Sequence, residues 1–560
     1  MTTPAGNQPL SAVSSATVER LEGTDARESN VAAGKALGDA VGTTLGPRGL
    51  DKMLVGSSGT VVVTNDGASI LDRMDVEHPA AELVVDVADT QAERVGDGTT
   101  TAVLLTAELL DEAQTLFEKG LHPFTVTRGY RRAGEVAMDR LGAAAVAIDP
   151  GDEARLRDVA ATAVTGKWDD DASATFADLA VRAVRAAETD GAVDLSRVTL
   201  RPVAGGGIDD STLVSGLAVD MGSSSTSVEN VDVPRHVDDA TLALVDRELT
   251  VDQADAVSNV SVDAPETMQA LREFENDAYA AKVAAFLDVG ADVVVCQKSV
   301  DDPLRRELAR AGVLTVERTR QDEMHKLAAA TGGDLVASVD ELSPETVGEA
   351  ESVERRRLGE TDLLVVTERR DSRHVSLLLR GGTQHVVDEV KRIVEDCVHV
   401  ASLAVERETV LPGGGATELR LARELRDYAD GVEGREQLAV RAFADALETV
   451  PRTLASTAGT NPVDALVELR ARHHDGHHDV GFDVAAGEPR SMVDAGVLEP
   501  LVVKQHAVAN AEEAANALLR IDDVIAATGE DEEGGETGGG GGGHAGHDHG
   551  SGGYPWAIGH

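Results

Sequence analysis

Four glycine-rich loops contain the residues best suited to chemistry in this 560-residue chain. They read TTLGPRG (43–49), TNDGAS (64–69), GDGTTT (96–101) and LPGGGATE (411–418). Glycine lets a backbone approach a ligand closely, and the exposed amides at the start of a helix attract anions. The sequence contains no GxxxxGK[ST] motif, so a Walker-type P-loop does not account for these glycines. Together the loops indicate a site for a phosphate-bearing ligand.

One carboxylate stands in the middle of the third loop, where the anion would bind. At about 4 Å and an effective dielectric of 20, Asp97 would repel a phosphate charge by roughly 4 kcal/mol. A divalent cation such as Mg²⁺ removes this conflict, because it accepts carboxylate and phosphate oxygens together. The alternative is that Asp97 caps the following helix and binds nothing. Taken alone, the loop favours the capping role.

The elements that must position these loops follow from the hydrophobic spacing. About the first 150 residues have a mostly helical pattern. From about Asp239, short aliphatic runs alternate with helical stretches, which is typical of an α/β module. Helical patterning returns over Gln384 to Arg407 and continues to Ala526. The two ends of the chain therefore share a helical pattern, whereas the middle alternates strands and helices. This arrangement predicts that the middle is inserted into another domain, which the first and last parts of the chain build together.

The composition narrows the class of protein. A chain of this length is expected to fold as about two to four domains. The 99 acidic and 51 basic residues give a net charge of −48, which argues against nucleic acid and membrane lipid as partners. The sequence has no run of 18 apolar residues and no visible secretory signal. We therefore expect a cytoplasmic protein.

Four further features of the composition give weaker information about the protein. Lysine is scarce, with nine residues against 42 arginines, and this acidic, lysine-poor composition favours a salt-rich cytoplasm over genomic composition bias. Cys296 and Cys397 stand in apolar runs and are expected to be buried hydrophobes in a reducing compartment. The His-rich tracts 472–479 and 544–550 favour adventitious metal binding over a physiological site. Residues 528–560, an acidic Gly/His-rich tail, are expected to be disordered.

Several longer motifs resemble the nucleotide-binding motifs of chaperonins. They are TTLGPRGLDKML (43–54), VTNDGASIL (63–71), VGDGTTTAVLL (95–105), GGTQHVVDEVKRIVEDC (381–397) and LPGGGATE (411–418). Two further segments, NPVDALVELR (461–470) and GVLEPLVVKQHAVANAEEAANALLRIDDVI (496–525), resemble the archaeal and eukaryotic group II branch, the thermosome family. The similarity runs in family order from residue 15 to residue 527.

The resemblance implies a multidomain α+β chaperonin fold. A mainly helical equatorial domain, which binds ATP, would combine residues 15–152 and 409–527. A small α/β intermediate domain that acts as a hinge would combine residues 153–222 and 373–408. An α/β apical domain, which binds the substrate protein, would occupy residues 223–372.

The resemblance also implies how the chain works with partners. Residues 251–286 resemble the helical protrusion that serves group II rings as a built-in lid, and a plain surface insertion is the alternative. Subunits of one or several kinds would stack as two back-to-back rings around cavities that hold unfolded client proteins. A built-in lid predicts that no separate lid co-chaperone is needed. ATP and Mg²⁺ are the implied cofactors.

The matched motifs imply a role for each site residue. Asp97 matches the metal-binding aspartate, Asp66 an aspartate beside the γ-phosphate, and Asp396 the aspartate that orients or activates the attacking water. The remaining matches would bind the nucleotide: Leu45, Gly46 and Pro47 by closing over it, Gly98, Thr99, Thr100 and Thr101 at the phosphates, Lys167 in a nucleotide-sensing loop, Gly414 and Gly415 at the ribose and base, Asp483 and Val484 at the adenine, and Glu499 at the ribose hydroxyls. Without the resemblance, Asp396 would be a solvated helix carboxylate and Lys167 an ordinary surface charge.

Three classes of function fit such a site. The first is an ATP-driven folding chamber. The second is a metal-dependent enzyme that transfers phosphate to a small molecule, but the sequence offers no second set of catalytic residues for an acceptor. The third is a ring subunit that binds nucleotide and hydrolyses it poorly. The presence of Asp66, Asp97 and Asp396 argues against the third class, and the folding chamber is therefore the leading hypothesis.

Overall fold

The computed structural model describes residues 18–56, 59, 61–221, 234–250, 265–369 and 374–527. The chain divides into two compact units. In the smaller unit, residues 1–26 and 522–560, the described residues form an antiparallel ribbon in which β1 (Val18–Glu22) pairs with β22 (Asp523–Ala527). The larger unit is Arg27–Ile521 and contains the predicted site. The predicted tail, 528–560, and the first part of the predicted lid, 251–264, lie outside the described residues.

Helices dominate both ends of the described chain, and most of the strands lie in its middle. The helices are α1 (Thr24–Gly42), α2 (Gly67–Asp72), α3 (Pro79–Val95), α4 (Thr99–Glu118), α5 (Pro123–Ala144), α6 (Glu153–Val164), α7 (Asp170–Ala187), α8 (Pro265–Asp288), α9 (Asp302–Arg310), α10 (Gln321–Thr331), α11 (Gln384–Arg407), α12 (Ala416–Ala429), α13 (Glu436–Leu447), α14 (Thr449–Thr457), α15 (Pro462–His474) and α16 (Leu501–Leu519). The strands between β1 and β22 are β2 (Lys52–Val55), β3 (Val61–Thr64), β4 (Val146–Ala147), β5 (Glu188–Thr189), β6 (Ala192–Val193), β7 (Val198–Ala204), β8 (Thr212–Ser215), β9 (Leu217–Asp220), β10 (His236–Asp238), β11 (Thr241–Val245), β12 (Val293–Cys296), β13 (Leu314–Val316), β14 (Leu335–Val336), β15 (Gly348–Leu358), β16 (Thr361–Glu368), β17 (Val375–Gly381), β18 (Thr409–Pro412), β19 (Val480–Asp483), β20 (Glu488–Ser491) and β21 (Leu498–Pro500).

A helical core joins the two ends of the larger unit. Helices α1, α3, α4 and α5 from the first part of the chain pack with α12 to α16 from the last part around one set of buried aliphatic side chains. Tyr130 and Phe443 meet edge to face at its centre, with ring centroids 5.7 Å apart. Elsewhere Leu, Val and Ala fill this core, as expected for a chain with 2% aromatic residues. The late part of the sequence therefore completes the same packed body as the early part.

A second core lies between these segments in the sequence. Helix α11 packs on α6, α7 and the strands β7 and β17, which are parallel. The predicted helix over Gln384 to Arg407 is confirmed, and Val390, Ile393 and Cys397 are buried on its inner face. Asp396 lies at the edge of that face and is partly exposed. Because the helix has 3.6 residues per turn, the Asp396 carboxylate points away from the core while its helical neighbours pack into the core.

The middle of the chain forms a mixed sheet. Strands run in the order β13-β12-β11-β15-β16-β9, with β13, β12 and β11 parallel to one another. Helix α10 lies against β9, β11, β14 and β15, while α8 and α9 contribute to a separate cluster of buried side chains that includes inward residues of β11 and β12. The predicted α/β texture is confirmed, although β15 and β16 pair in antiparallel fashion. Within the predicted lid, residues 265–286 belong to α8.

The continuous helical pattern expected up to Ala526 is wrong in detail. The strands β18, β19, β20 and β21 interrupt it, and Ala526 itself lies in a strand. These strands have only three or four residues each, too few for a period of two to stand out from the neighbouring helices. Both cysteines are buried and neither forms a disulfide, as predicted. Of the helices in the described ranges, none has the length and apolar character needed to cross a membrane.

Candidate functional site

All of the predicted site residues line one cavity in the larger unit. Its volume is about 490 Å³, which lies within the range of roughly 300–1,000 Å³ of small-molecule sites. The cavity walls come from the loop after α1, the starts of α2, α4 and α12, the loop after α6, one face of α11 and the strands β19 and β21. Residues separated by more than 400 positions in the sequence therefore face the same space.

The start of α4 presents open amides to the cavity. Its N-cap residue is Gly98, which has φ +78° and makes no side-chain capping bond, a conformation that favours glycine. The first hydrogen bond that enters the helix runs from Ala102 N to Gly98 O, 2.9 Å. The amides of Thr99, Thr100 and Thr101 precede that bond and carry the positive end of the helix dipole. This helix end suits an anion.

Asp97 does not cap α4, because Gly98 occupies the capping position. Its Oδ1 instead accepts a hydrogen bond from Gly98 N at 2.6 Å, and the side chain lines the cavity. Burial and then the neighbouring Glu499 carboxylate raise the pKa of Asp97 to about 7, against the opposing charge of Lys167. Among the described residues, no basic side chain forms an ion pair with Asp97 within 4.0 Å. The carboxylate therefore lacks a cation of its own.

A buried glutamine holds the Asp97 loop in place. Gln91 Nε2 donates to Asp97 O at 2.9 Å and to Val503 O at 3.1 Å. Asn510 Nδ2 in turn donates to Gln91 Oε1 at 3.2 Å. Helices α3 and α16 thus fix the backbone at the start of α4, and this leaves the Asp97 side chain free to face the cavity.

Across the cavity, two carboxylates share two cations. Lys167 Nζ lies 2.7 Å from Asp396 Oδ2 and 3.9 Å from Asp66 Oδ1. Arg392 Nη1 lies 3.2 Å from Asp66 Oδ1 and 3.3 Å from Asp396 Oδ2. Burial alone would raise the pKa of Asp66, but Lys167, Arg392 and the hydrogen bonds from Ser69 together outweigh burial and lower it. Burial alone would lower the pKa of Lys167, but the carboxylates of Asp396 and Asp66 raise it. Asp66 and Lys167 therefore remain charged near neutral pH.

The loop that carries Lys167 lies directly on the loop predicted to close over a nucleotide. A Cβ placed on Gly166 would come within 2.6 Å of Gly46 O and 2.9 Å of Pro47 Cα, so only glycine permits this contact. Asn65 Nδ2 also donates to Gly166 O at 2.7 Å. Three loops far apart in the sequence are therefore in contact around one end of the cavity.

In another part of the cavity wall, the glycine loop before α12 meets β19. Phe482 N donates to Gly414 O at 2.8 Å, which brings Gly414 and Gly415 next to the segment that follows. The Asp483 carboxylate is already engaged, because it accepts from Ala486 N and from Arg490 Nη1, each at 3.0 Å. Any contact of Asp483 with a base would therefore come from its backbone, beside the buried side chain of Val484.

A buried triad positions Glu499. Lys504 Nζ lies 2.6 Å from Glu418 Oε1 and 2.8 Å from Glu499 Oε2, and the Lys504 side chain is only 5% exposed. Burial raises the pKa of Glu499, although the Lys504 charge opposes this, while the two carboxylates keep the pKa of Lys504 well above its usual range. Glu499, one member of this triad, is near enough to Asp97 for its carboxylate to raise the pKa of Asp97.

The geometry fits Mg²⁺ only when the ligand supplies oxygens as well. No group of three or more His, Cys, Asp or Glu side chains in the described part of the chain is arranged to bind a metal by itself. Mg²⁺, however, is commonly held by one or two carboxylates together with phosphate oxygens and water. The unpaired Asp97 beside the open start of α4 provides that kind of partial site.

Three side chains that shape the cavity were not predicted from the sequence. Arg392 lies one helical turn before Asp396, and that i, i+4 spacing is a signal that could have identified it. Lys504 and Gln91 gave no such signal. Their near partners Glu499 and Asp97 fall outside the i, i+3 and i, i+4 spacings, and Glu418 and Val503 are distant in the sequence. Two of the nine lysines of the chain, Lys167 and Lys504, line this one cavity.

Comparison of the sequence with known proteins supports the same family that the loops lining the cavity resemble. The family model of the TCP-1/cpn60 chaperonins matches residues 37–529. A thermosome subunit of Methanopyrus kandleri is 46% identical over 91% of this chain and 93% of its own length. Thermosome subunit alpha of Halobacterium salinarum is also 46% identical, over 93% of this chain and 92% of its own. Thermosome subunit 1 of Haloferax volcanii is 45% identical over 91% and 90%.

These matches span nearly the whole of each protein, and they include every loop that lines the cavity. A chance resemblance of isolated glycine loops is therefore excluded. The chain belongs to the TCP-1/cpn60 chaperonin family and is an ATP-dependent molecular chaperone that hydrolyses ATP.

Proposed function

We propose that the cavity binds ATP together with Mg²⁺ and that hydrolysis there drives closure of a chamber in which unfolded proteins fold. The observation that carries this proposal is the open start of α4 with Asp97 beside it, facing the charged cluster of Asp66, Lys167 and Asp396 across one cavity. An anion site, a cation site and a residue that orients the attacking group recur in enzymes of phosphoryl transfer, and this cavity offers a candidate for each.

Each region of the cavity has a distinct part in binding. The amides of Thr99, Thr100 and Thr101 would hold the polyphosphate at the helix start. Gly414 and Gly415 would face the ribose and base, and the remaining oxygen of Glu499 would accept from the ribose hydroxyls, because Lys504 already occupies the other oxygen. Asp97 would hold Mg²⁺, which when bound neutralises phosphate charge and polarises the γ-phosphoryl group.

Asp66 and Asp396 would position the attacking water. The water oxygen forms a bond to the γ-phosphorus while the bond from that phosphorus to the bridging oxygen breaks and releases ADP. Asp396 would accept the proton that the water gives up. Positioning and electrostatics supply most of the acceleration in such reactions.

The positions of the site residues in the fold would couple ATP hydrolysis to a conformational change of the chain. We assign the helical core to an equatorial domain (15–152 and 409–527), the core around α11 to an intermediate hinge domain (153–222 and 373–408), and the mixed sheet, apart from its edge strand β9, to an apical domain (223–372). Asp396 lies on α11, a helix of the second core, and Asp97 lies between α3 and α4, two helices of the first core. Movement of one core relative to the other would assemble or separate the two halves of the site.

We further assign the chain to a double ring whose subunits enclose unfolded proteins, with residues 251–286 as a built-in lid that makes a separate lid co-chaperone unnecessary. The relatives are named as subunits, in some species as alpha or beta, which supports assembly from one or more kinds of chain. The salt-rich cytoplasm inferred from the net charge of −48 remains a prediction.

The proposal is tested on the purified full-length chain in four measurements. We expect ATP hydrolysis without any added metabolite, its loss when a chelator removes divalent cations, and recovery of a denatured client enzyme only when ATP and Mg²⁺ are both supplied. Light scattering should report a ring-sized particle. Phosphate transfer to a small acceptor in place of water would favour the kinase alternative, and undiminished hydrolysis in the presence of chelator would refute the role of Asp97.

A further inference from the structure

We propose that Arg392 is a positioning residue for hydrolysis: its guanidinium holds Asp66 and Asp396 together on one side of the cavity and orients the carboxylate that faces the water. This inference rests on the proposed function of the cavity. It concerns a side chain that lies one helical turn from Asp396 and lines the same space.

The first support is the position of the guanidinium between two separate elements. Arg392 Nη1 reaches Asp66 Oδ1 at 3.2 Å and Asp396 Oδ2 at 3.3 Å. Asp66 caps α2, whereas Asp396 lies on α11. One nitrogen therefore bridges the two halves of the site. Without it, Lys167 alone would face both carboxylates, and it is 3.9 Å from Asp66.

The second support comes from which carboxylate oxygens of Asp396 and Asp66 already contact a protein group. Lys167 and Arg392 both contact Oδ2 of Asp396. Oδ1 of Asp396 accepts no hydrogen bond from any described residue. Both cations therefore hold one oxygen and leave the other available to accept from water. At Asp66, Oδ2 accepts from Ser69 N at 2.9 Å, so Oδ1 is the oxygen that Arg392 orients.

The third support is that Arg392 is itself anchored. Its Nε and Nη2 donate to the two oxygens of Glu389, at 3.3 and 2.7 Å. This paired contact fixes the plane of the guanidinium and directs Nη1 toward the cavity. A lysine at this position has no fixed fork, so it can restore the charge but cannot be anchored at two atoms while it bridges two carboxylates. The geometry therefore requires arginine, in contrast to the point charge of Lys167.

The test compares steady-state hydrolysis, ATP binding and thermal unfolding of the full-length chain and three variants. We expect Arg392→Gln to lower kcat by roughly 10- to 100-fold with a change in KM below about threefold, because positioning groups of this kind act in the transition state more than in binding. Arg392→Lys should recover part of kcat. The matched control is Lys391→Gln, which removes the same charge from the same helix at a residue that does not line the cavity; we expect its kcat to be unchanged.

Each outcome decides the question. A wild-type rate of zero would refute the proposed function itself, whereas a normal wild-type rate with an equally active Arg392→Gln variant would refute only the role of Arg392. A fall in kcat of similar size in Lys391→Gln would show a general charge effect and also refute it. If Arg392→Gln unfolds early, Arg392→Lys decides: a folded variant with reduced kcat and normal ATP affinity supports positioning, and a rate equal to wild type overturns it.

Discussion

The carboxylate at the centre of the phosphate loop leads to the most direct quantitative prediction. If Asp97 belongs there because it holds a cation, then Asp97→Asn should strengthen ATP binding when no divalent metal is present. The amide keeps the size of the side chain and removes its charge. In the wild-type chain, by contrast, removal of Mg²⁺ should weaken ATP binding strongly.

The structure sets the size of this effect. The Asp97 carboxylate contacts Gly98 N, one residue before the amides that would bind phosphate, so a separation of about 4 Å from a phosphate charge is reasonable. At that separation the repulsion is about 1 kcal/mol at the dielectric of water and about 4 kcal/mol at an effective dielectric of 20. Since about 1.4 kcal/mol is a factor of ten, this repulsion alone corresponds to roughly 5-fold to 1,000-fold in affinity. A carboxyl group with a pKa of about 7 can, however, take up a proton when ATP binds without metal. Proton uptake limits the gain in metal-free affinity of the variant to about 2-fold at pH 7 and about 10-fold at pH 8, so the measurement is made at pH 8.

Isothermal titration calorimetry with ATP, with and without chelator, measures both quantities. Asp86→Asn is the matched control, because it removes the same charge from an exposed position on α3, and its metal dependence should equal that of the wild type. An Asp97→Asn variant that binds metal-free ATP no better than the wild type, or that keeps the full dependence on Mg²⁺, would refute the reasoning.

Three other predictions concern catalysis and stability. Asp396→Asn should keep ATP affinity within about threefold while kcat falls by at least about 100-fold; turnover at the wild-type rate would contradict its assignment. Lys504→Met should destabilise the chain by about 3–5 kcal/mol because two buried carboxylates lose their cation, whereas Lys35→Met, which breaks an exposed pair, should cost below about 1 kcal/mol in denaturant unfolding. Burial lowers the pKa of His473, whose Nε2 donates to Val480 O while Nδ1 has no hydrogen-bond partner among the described residues. The unfolded chain therefore binds the proton more readily, and stability is lost as pH falls below about 6.5. His473→Gln should reduce that loss and exposed His474→Gln should not; equal losses in urea unfolding at pH 7.5 and 5.5 would contradict this.

Local features were readable from the sequence because short-range physics fixes them. The helix over Gln384 to Arg407 follows from apolar residues repeating at the helical period, and the open start of α4 follows from a glycine just before three threonines. The pattern shared by the two ends of the chain also predicted correctly that they build one core. The roles of the individual site residues came from the chaperonin resemblance.

Short elements and their pairing were less accessible. The brief strands β18 to β21 carry too few residues to show a period, so a helical pattern was expected across them. The direction of pairing between β15 and β16 likewise depends on how the chain returns to the sheet, not on the composition of either strand.

The sequence by itself determined which residue types stand beside the phosphate loop, since glycines, threonines and Asp97 act through local backbone geometry and charge. Only the tertiary structure decided their electrostatic partners. Arg392 meets Asp66 across more than 300 positions of sequence, and Lys504 meets Glu418 within the interior. Coulomb energy depends on the distance between charges in space, and the pKa shift caused by burial depends on the exclusion of water. Both are set only when the two ends of the chain pack together.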